Sequence, residues 1–253
     1  MNLLQARWEP LLRSPNWYLR IIPEIHSWIK RLSREPVEVQ DRAKARLYDF
    51  FEDHLAQGGI SLGRGSSFDA ERKRIDTIVL HHTSNPPGMR ASRLSAIELI
   101  RLYGPYFVNP TAEVDTHLQG QPIYSGHIRH GQQVFWPYHW IVRENGQAER
   151  LLEDSEIGWH AGDWDVNCRS VGIVLDNDYE WHRPSDLELR GIARIIIGHY
   201  GLVPLNRIVG HREIISKTTC PSRLFLDGTS TKGWKGDLLA LFDKRAAAQN
   251  PVG

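Results

Sequence analysis

The spacing of apolar and polar positions divides the chain near residue 70. Before that point, apolar residues recur at helical intervals. From Leu3 to Leu32 the pattern is amphipathic but interrupted by Pro10, Pro15 and Pro23. Proline lacks a backbone N–H and its ring collides with the preceding turn, so this stretch predicts short, kinked helices. A longer helix is expected to open near Pro36, a favoured first helical position. Val39, Ala43, Leu47, Phe50, Phe51 and Leu55 keep one apolar stripe along it. Gly58-Gly59 would end it, and "SLGRGSS", Ser61–Ser67, reads as a linker.

Beyond the linker the period changes. In "RIDTIVLHHTS", Ile75–Leu80 is a short β-branched run with both alternating faces apolar, as in a central strand buried on both sides. Ser95-Ala-Ile-Glu98 has the spacing of a capping box opening a helix to about Tyr103. Residues 104–134 are rich in Gly, Pro, Asn and Gln and read as a long loop. "YHWIVRENGQAERLL" predicts a hairpin with Asn145-Gly146 at a primed turn. "SVGIVLD" is a further strand, Ser170–Asp176. Ser185-Asp-Leu-Glu188 is a second capping box, with a helix to Gly201. "NRIVGH" reads as a short strand and "WKGDLLALFDKRAAA" as a closing helix. Alternating strands and helices predict an α/β fold, a mixed central sheet flanked by helices behind an N-terminal helical extension. The expected division is 1–70 for the extension and linker and 71–253 for the main domain.

Composition narrows the function. The 31 basic and 30 acidic residues nearly cancel, and nothing in them suggests a basic surface for nucleic acid, so no nucleic-acid partner is expected. The extension has ten Lys/Arg against nine Asp/Glu, so it is no polybasic anchor. Two cysteines cannot build a disulfide framework. No stretch reaches the ~18–20 apolar residues of a membrane span. "MNLLQARWEPLLRSPNWYLR" lacks the unbroken apolar run of a signal peptide. The expectation is a soluble protein, cytoplasmic or released without a signal peptide.

The candidate chemistry gathers where strands end. His81 and His82 follow Leu80, Tyr138 opens a strand, and His211 follows Val209-Gly210. In α/β sheets such ends line the binding crevice. Two histidines with a Cys thiolate and one open position make a catalytic zinc site, and Cys220 lies nine residues after His211. Side chains alternate along a strand, so His81 and His82 point to opposite faces; His82 is assigned to packing or hydrogen bonding. Cys168 reads as a small core hydrophobe. His117, His127 and His130 read as loop residues rather than a second metal site.

"IVLHHTS", "WPYHWIVRENG", "IGWHAG", "NCRSVGIVL" and "VGHREIISKTTCPS" occur in that order. Together they resemble the zinc-dependent N-acetylmuramoyl-L-alanine amidases, a family that includes phage lysozyme-type amidases, muropeptide-recycling amidases and peptidoglycan-recognition proteins. The resemblance covers roughly residues 72–225. It implies one zinc ion per chain, held by His81, His211 and Cys220. It implies a catalytic Tyr138, with Thr218 or Lys217 polarising the carbonyl, and a substrate groove shaped by Trp159, His160 and Asn167. The implied reaction is hydrolysis of the amide joining the lactyl group of N-acetylmuramic acid to L-alanine, in peptidoglycan or muropeptides. Where many members carry Glu after "GI", this chain has Val174, with Asp176 a substitute two residues on. The rival implication is a non-catalytic peptidoglycan-binding module, as in relatives that lack a full zinc site. A zinc-stabilised structural domain is a third, which four protein ligands would mark.

Overall fold

A computed structural model of the chain describes residues 7–14, 17–56, 68–85, 94–103, 125–229 and 231–249. Along them run helix α1 (Trp17–Leu32), helix α2 (Val37–Ala56), strand β1 (Thr77–His82) and a short helix α3 (Ser95–Glu98) that continues as a π-turn over Leu99–Tyr103. Strands β2 (Ile128–Arg129), β3 (Gln132–Gln133), β4 (Trp140–Val142) and β5 (Ala148–Arg150) follow. The rest comprises α4 (Trp164–Arg169), β6 (Ser170–Leu175), α5 (Asp186–His199), β7 (Ile208–Gly210) and α6 (Trp234–Gln249). Two compact units result, one of residues 1–68 with 91–136, the other of 69–90 with 137–253. The segment 91–136 thus clusters with the N-terminal helices.

The second unit is built on a five-stranded sheet of order β5-β4-β6-β1-β7. Only the β4–β5 pair is antiparallel, so the sheet is mixed, as expected. All six residues of β1 are buried, as the two-sided apolar run requires; the strand itself starts and ends two residues later than its sequence predicts. One face of the sheet presents Ile78, Leu80, Trp140, Val142, Ile173, Leu175 and Ile208 to a core shared with Ile192, Ile195 and Ile196 of α5 and Trp234 and Leu238 of α6. The opposite face carries Val79, packed with Ala161 and Val166. The Ser185 capping box forms as predicted, its hydroxyl accepting from the Glu188 N–H and the Glu188 side chain accepting from the Ser185 N–H.

The β4–β5 hairpin forms with different turn chemistry. Gly146 has φ of +76° while Asn145 keeps an ordinary negative φ, and the Gly146 N–H donates to Arg143 O at 2.8 Å. This is a three-residue loop with a single left-handed glycine, not the two-residue primed turn. Glycine is required there twice over, because a Cβ would lie 2.4 Å from Leu187 O.

Within the first unit, α1 is one 16-residue helix with Pro23 inside it, in place of several short pieces. Ile21, Ile22 and Ile25 around the proline are fully buried, and that burial outweighs one missing helix bond. Trp17 stacks on Phe51 of α2, ring centroids 5.7 Å apart. Helix α2 begins directly after Pro36, whose carbonyl accepts from Val39 and Gln40. Its predicted Gly58-Gly59 stop and the Ser61–Ser67 linker lie outside the described residues. The Ser95 capping box does not form. Ser95 Oγ accepts instead from the Phe135 N–H at 2.9 Å, and Glu52 of α2 takes the Ala96 N–H at 2.5 Å. Part of the expected 104–134 loop is the β2–β3 hairpin, turned at His130 and Gly131 with positive φ; His127 is buried beside it and His117 lies outside the described residues.

Candidate metal centre

Strand register brings the two histidines together. Val79 pairs with Val209 and Leu80 with Gly210 on adjacent parallel strands. One step further, His81 and His211 leave the same face of neighbouring strands, and their ring centroids are 4.8 Å apart, the ordinary spacing between strands. The β1–β7 ladder stops at Leu80–Gly210 while β1 continues for two residues. The loop after His211 fills the edge so released. Its Cys220 sulfur accepts a hydrogen bond from the His82 main-chain N–H. The loop is pinned by the Arg212 N–H to Cys220 O at 2.7 Å and the Cys220 N–H to Thr218 Oγ1 at 3.1 Å; the Cys220–Pro221 peptide is cis.

His81, His211 and Cys220 each offer one ligand atom, all within 4.8 Å of one another, and they form the one such His/Cys/Asp/Glu group among the described residues. Cys220 Sγ lies 3.7 Å from His81 Nδ1. Tetrahedral zinc, with Zn–S of ~2.3 Å and Zn–N of ~2.0–2.1 Å, needs an N···S separation of roughly 3.6 Å. The donor set is two imidazoles and a thiol, with no fourth protein ligand among the described residues, which is the composition of an open catalytic site. The residues fit zinc.

Burial keeps the histidine rings neutral and the Cys220 thiol protonated. Burial pushes His81 well below the usual histidine range, the neighbouring His211 and His160 adding to the effect. His211 is lowered by burial against an opposing hydrogen bond to the backbone of Ala161, and His160 is lowered to about 3 by burial, His211 and Arg72. Neutral rings are what a metal requires. The Cys220 thiol is pushed up to about 12, chiefly by burial and despite its bond from His82.

Around the three potential ligands the remaining predicted residues fall into two groups. Tyr138 is buried and its ring lies 5.0 Å from that of His81. It precedes β4 by two residues instead of opening it, with a bend at His139. Thr218 is half-buried and Lys217 exposed on the Cys220 loop. His160 is held within the scaffold. Its Nδ1 is 3.0 Å from His81 Nε2 and its Nε2 is 3.4 Å from Ser170 Oγ. With His81 Nδ1 left to ligate, His81 Nε2–H donates to His160 Nδ1, and His160 Nε2–H points to Ser170. Gly172 leaves room for this ring, since a Cβ would lie 2.9 Å from it. Asn167 Oδ1 accepts from the N–H groups of both His160 (3.1 Å) and Ala161 (2.8 Å). Trp159 is half-buried against Trp164, centroids 5.0 Å apart.

His82 faces away from the ligands, as alternation predicts. Its Nδ1 accepts from the Tyr179 N–H at 2.9 Å, so its Nε2 carries the proton toward Ser84 Oγ at 3.2 Å. Val174 is buried in register with His81, and Asp176 is paired with Arg143 at 2.6 Å. Two supporting residues are additional to the sequence reading. Arg72 donates to the carbonyls of Asp154, Asn167 and Ser170 at 2.7–3.0 Å. His139 accepts from the Gly172 N–H and touches Glu156 O. An arginine ahead of a strand and a second histidine beside a tyrosine were the available signals.

A family model described as N-acetylmuramoyl-L-alanine amidase matches residues 71–223. No curated protein matches the chain in sequence. Solved structures similar to it include the endolysin N-acetylmuramoyl-L-alanine amidase LysCS from Clostridium intestinale (17% identity, TM-score 0.45, covering 72% of this chain and 90% of that one). The endolysin of the Thermus scotoductus bacteriophage Ph2119 is 17% identical, with a TM-score of 0.42 over 66% and 85% of the two chains. Drosophila peptidoglycan recognition protein SD is 16% identical, with a TM-score of 0.40 over 64% and 80%.

Proposed function

The chain belongs to the N-acetylmuramoyl-L-alanine amidase family, and from that premise we propose that it hydrolyses the amide between the lactyl group of N-acetylmuramic acid and L-alanine, using one zinc ion held by His81, His211 and Cys220. The observation that carries this reading is the convergence of these three side chains, with Cys220 Sγ 3.7 Å from His81 Nδ1 and the Tyr138 ring against His81. Zinc, when bound there, would supply a water of pKa lowered to about 7 and a Lewis acid for the scissile carbonyl.

The chain's own groups do the rest. Tyr138 donates to the oxyanion that develops on the carbonyl, or takes the proton of the attacking water. Thr218 or Lys217, on the loop that carries Cys220, stabilises the same charge. His160 keeps His81 oriented through its distal nitrogen, the task of an outer-shell partner. Trp159 lines the substrate groove. Among the described residues no helix is long and apolar enough to cross a membrane, and the proposed partner is peptidoglycan or a muropeptide.

Elemental analysis of the wild type should find about one zinc per chain, and Cys220→Ala should lose it. Mass spectrometry of digested muropeptides should find a new free L-alanine amino terminus and a free lactyl carboxylate. New reducing sugar ends without new amino termini would make the chain a glycosidase. Muropeptide binding without cleavage, by zinc-loaded protein, would make it a recognition module.

A further inference from the structure

Trp181 is 66% exposed, the one aromatic among the large apolar side chains exposed to that degree in the described residues. It sits on the β6–α5 loop, which is fastened to His82 on the far face of β1 and to the residues around Cys220. On one side the Tyr179 N–H donates to His82, the neighbour of His81. On the other, Glu180 accepts from Thr219 Oγ1 at 2.7 Å and from Arg223 Nε at 2.7 Å, and the Arg223 N–H donates to Glu180 O. Ser222 Oγ reaches His182 O at 3.4 Å. Thr219 and Ser222 flank Cys220-Pro221. Trp181 therefore rides on a loop bonded to the residues around Cys220. Arg223 lies over the indole, its guanidinium carbon 4.6 Å from the ring centroid. The cation fixes one face of the ring and leaves the ring largely open to solvent.

An isolated flat ring amid charged neighbours is a poor protein interface, which needs about 800 Å² per partner. It suits a small ligand with one apolar face and a polar edge. A pyranose is such a ligand, its ring C–H groups on one face and its hydroxyl and acetamido groups at the edge. We propose that Trp181, carried on Arg223 beside the segment that holds Cys220, is a stacking platform for a pyranose ring of the substrate, and that it sets a preference for sugar-bearing over sugar-free substrates. This rests on the amidase reading above.

The test compares two substrates, the N-acetylglucosaminyl-N-acetylmuramyl tetrapeptide and a sugar-free N-lactoyl-L-alanyl peptide. Trp181→Ala should raise KM on the first about tenfold, as for an aromatic anchor, with kcat unchanged. On the second its kcat/KM should equal the wild type's, and Trp181→Phe should restore most of the lost affinity. Equal losses on both substrates, or none on the first, would overturn the proposal. Should the wild type cleave neither substrate, the amidase reading fails, and binding still decides the platform. A β-1,4-linked N-acetylglucosamine tetrasaccharide should shift one indole N–H resonance saturably in the wild type, and that resonance should be missing in Trp181→Ala. The absence of any shift would remove the platform.

Discussion

Asn167 is linked at one remove to both His81 and His211 through one oxygen. It accepts from the His160 N–H, and His160 meets the distal nitrogen of His81; it accepts from the Ala161 N–H, and the Ala161 backbone meets His211. Asn167→Ala leaves two buried N–H groups without that acceptor and loosens both rings. Zinc affinity should fall about 10–100-fold, the usual cost of losing an outer-shell partner, read by competition with a chelating dye. An unchanged affinity would return Asn167 to a role in the groove. The adjacent histidines separate in the same assay: His81→Ala should lose the metal, and His82→Ala should keep it while unfolding at lower temperature, since His82 Nδ1 holds the β6–α5 loop through Tyr179 and its Nε2 meets Ser84. Strand alternation sets His81 and His82 on opposite faces, and the candidate set His81, His211 and Cys220 was legible through the resemblance carried by five motifs in order. The tasks of Asn167, His160 and Arg72 were not, because they depend on a loop folding back on the sheet, which no local spacing encodes.

At the scale of elements, the strands were legible and the helix ends less so. A run apolar on both faces has one outcome in an α/β sheet, hence β1. A cap depends on which acceptor arrives first. At Ser95 the carboxylate of Glu52 takes the first-turn N–H, and Glu98 is left buried. Burial raises Glu98 from 4.5 to about 7, with Arg101 opposing. Below pH 4.5 the carboxyl is protonated whether the chain is folded or not, and it costs nothing. Between pH 4.5 and 7 the unfolded chain releases the proton while the folded one retains it, so stability falls as pH rises. Above pH 7 the full cost is about 3 kcal/mol. Glu98→Gln keeps the shape and removes the proton. Its stability gain over the wild type, from denaturant unfolding, should be near zero at pH 4, grow through pH 5–7 and level off above. A gain that does not vary with pH would mean that Glu98 is already charged in the folded chain.

At the scale of the molecule, the arrangement of units alters what can be removed. Sequence pattern suggests that an extension ending near residue 70 is a separable arm, since no residue before Phe68 matches a catalytic motif. The first compact unit, however, includes 91–136 as well as 1–68. Within it α2 packs on α3, Glu52 accepts from the Ala96 N–H, and His26 Nε2 lies 3.4 Å from Ile100 O. Ile97, Leu99 and Ile100 are at most 2% exposed. A chain that starts at residue 69 keeps α3 and loses its partners. It uncovers those apolar side chains and leaves an orphaned N–H, which favours aggregation. The expected outcome is a sharp loss of soluble protein relative to the full chain, measured by sedimentation after expression. A chain lacking both 1–68 and 91–136, closed by a flexible Gly-Ser linker, removes the first unit whole and leaves β1, β4, β6, β7 and the three candidate ligands His81, His211 and Cys220 in place. It should stay soluble and hold about one zinc. If instead the chain from residue 69 is soluble, zinc-loaded and as active as the full protein on soluble muropeptides, α3 does not need the helices that precede it, and the arm is separable as its sequence suggests.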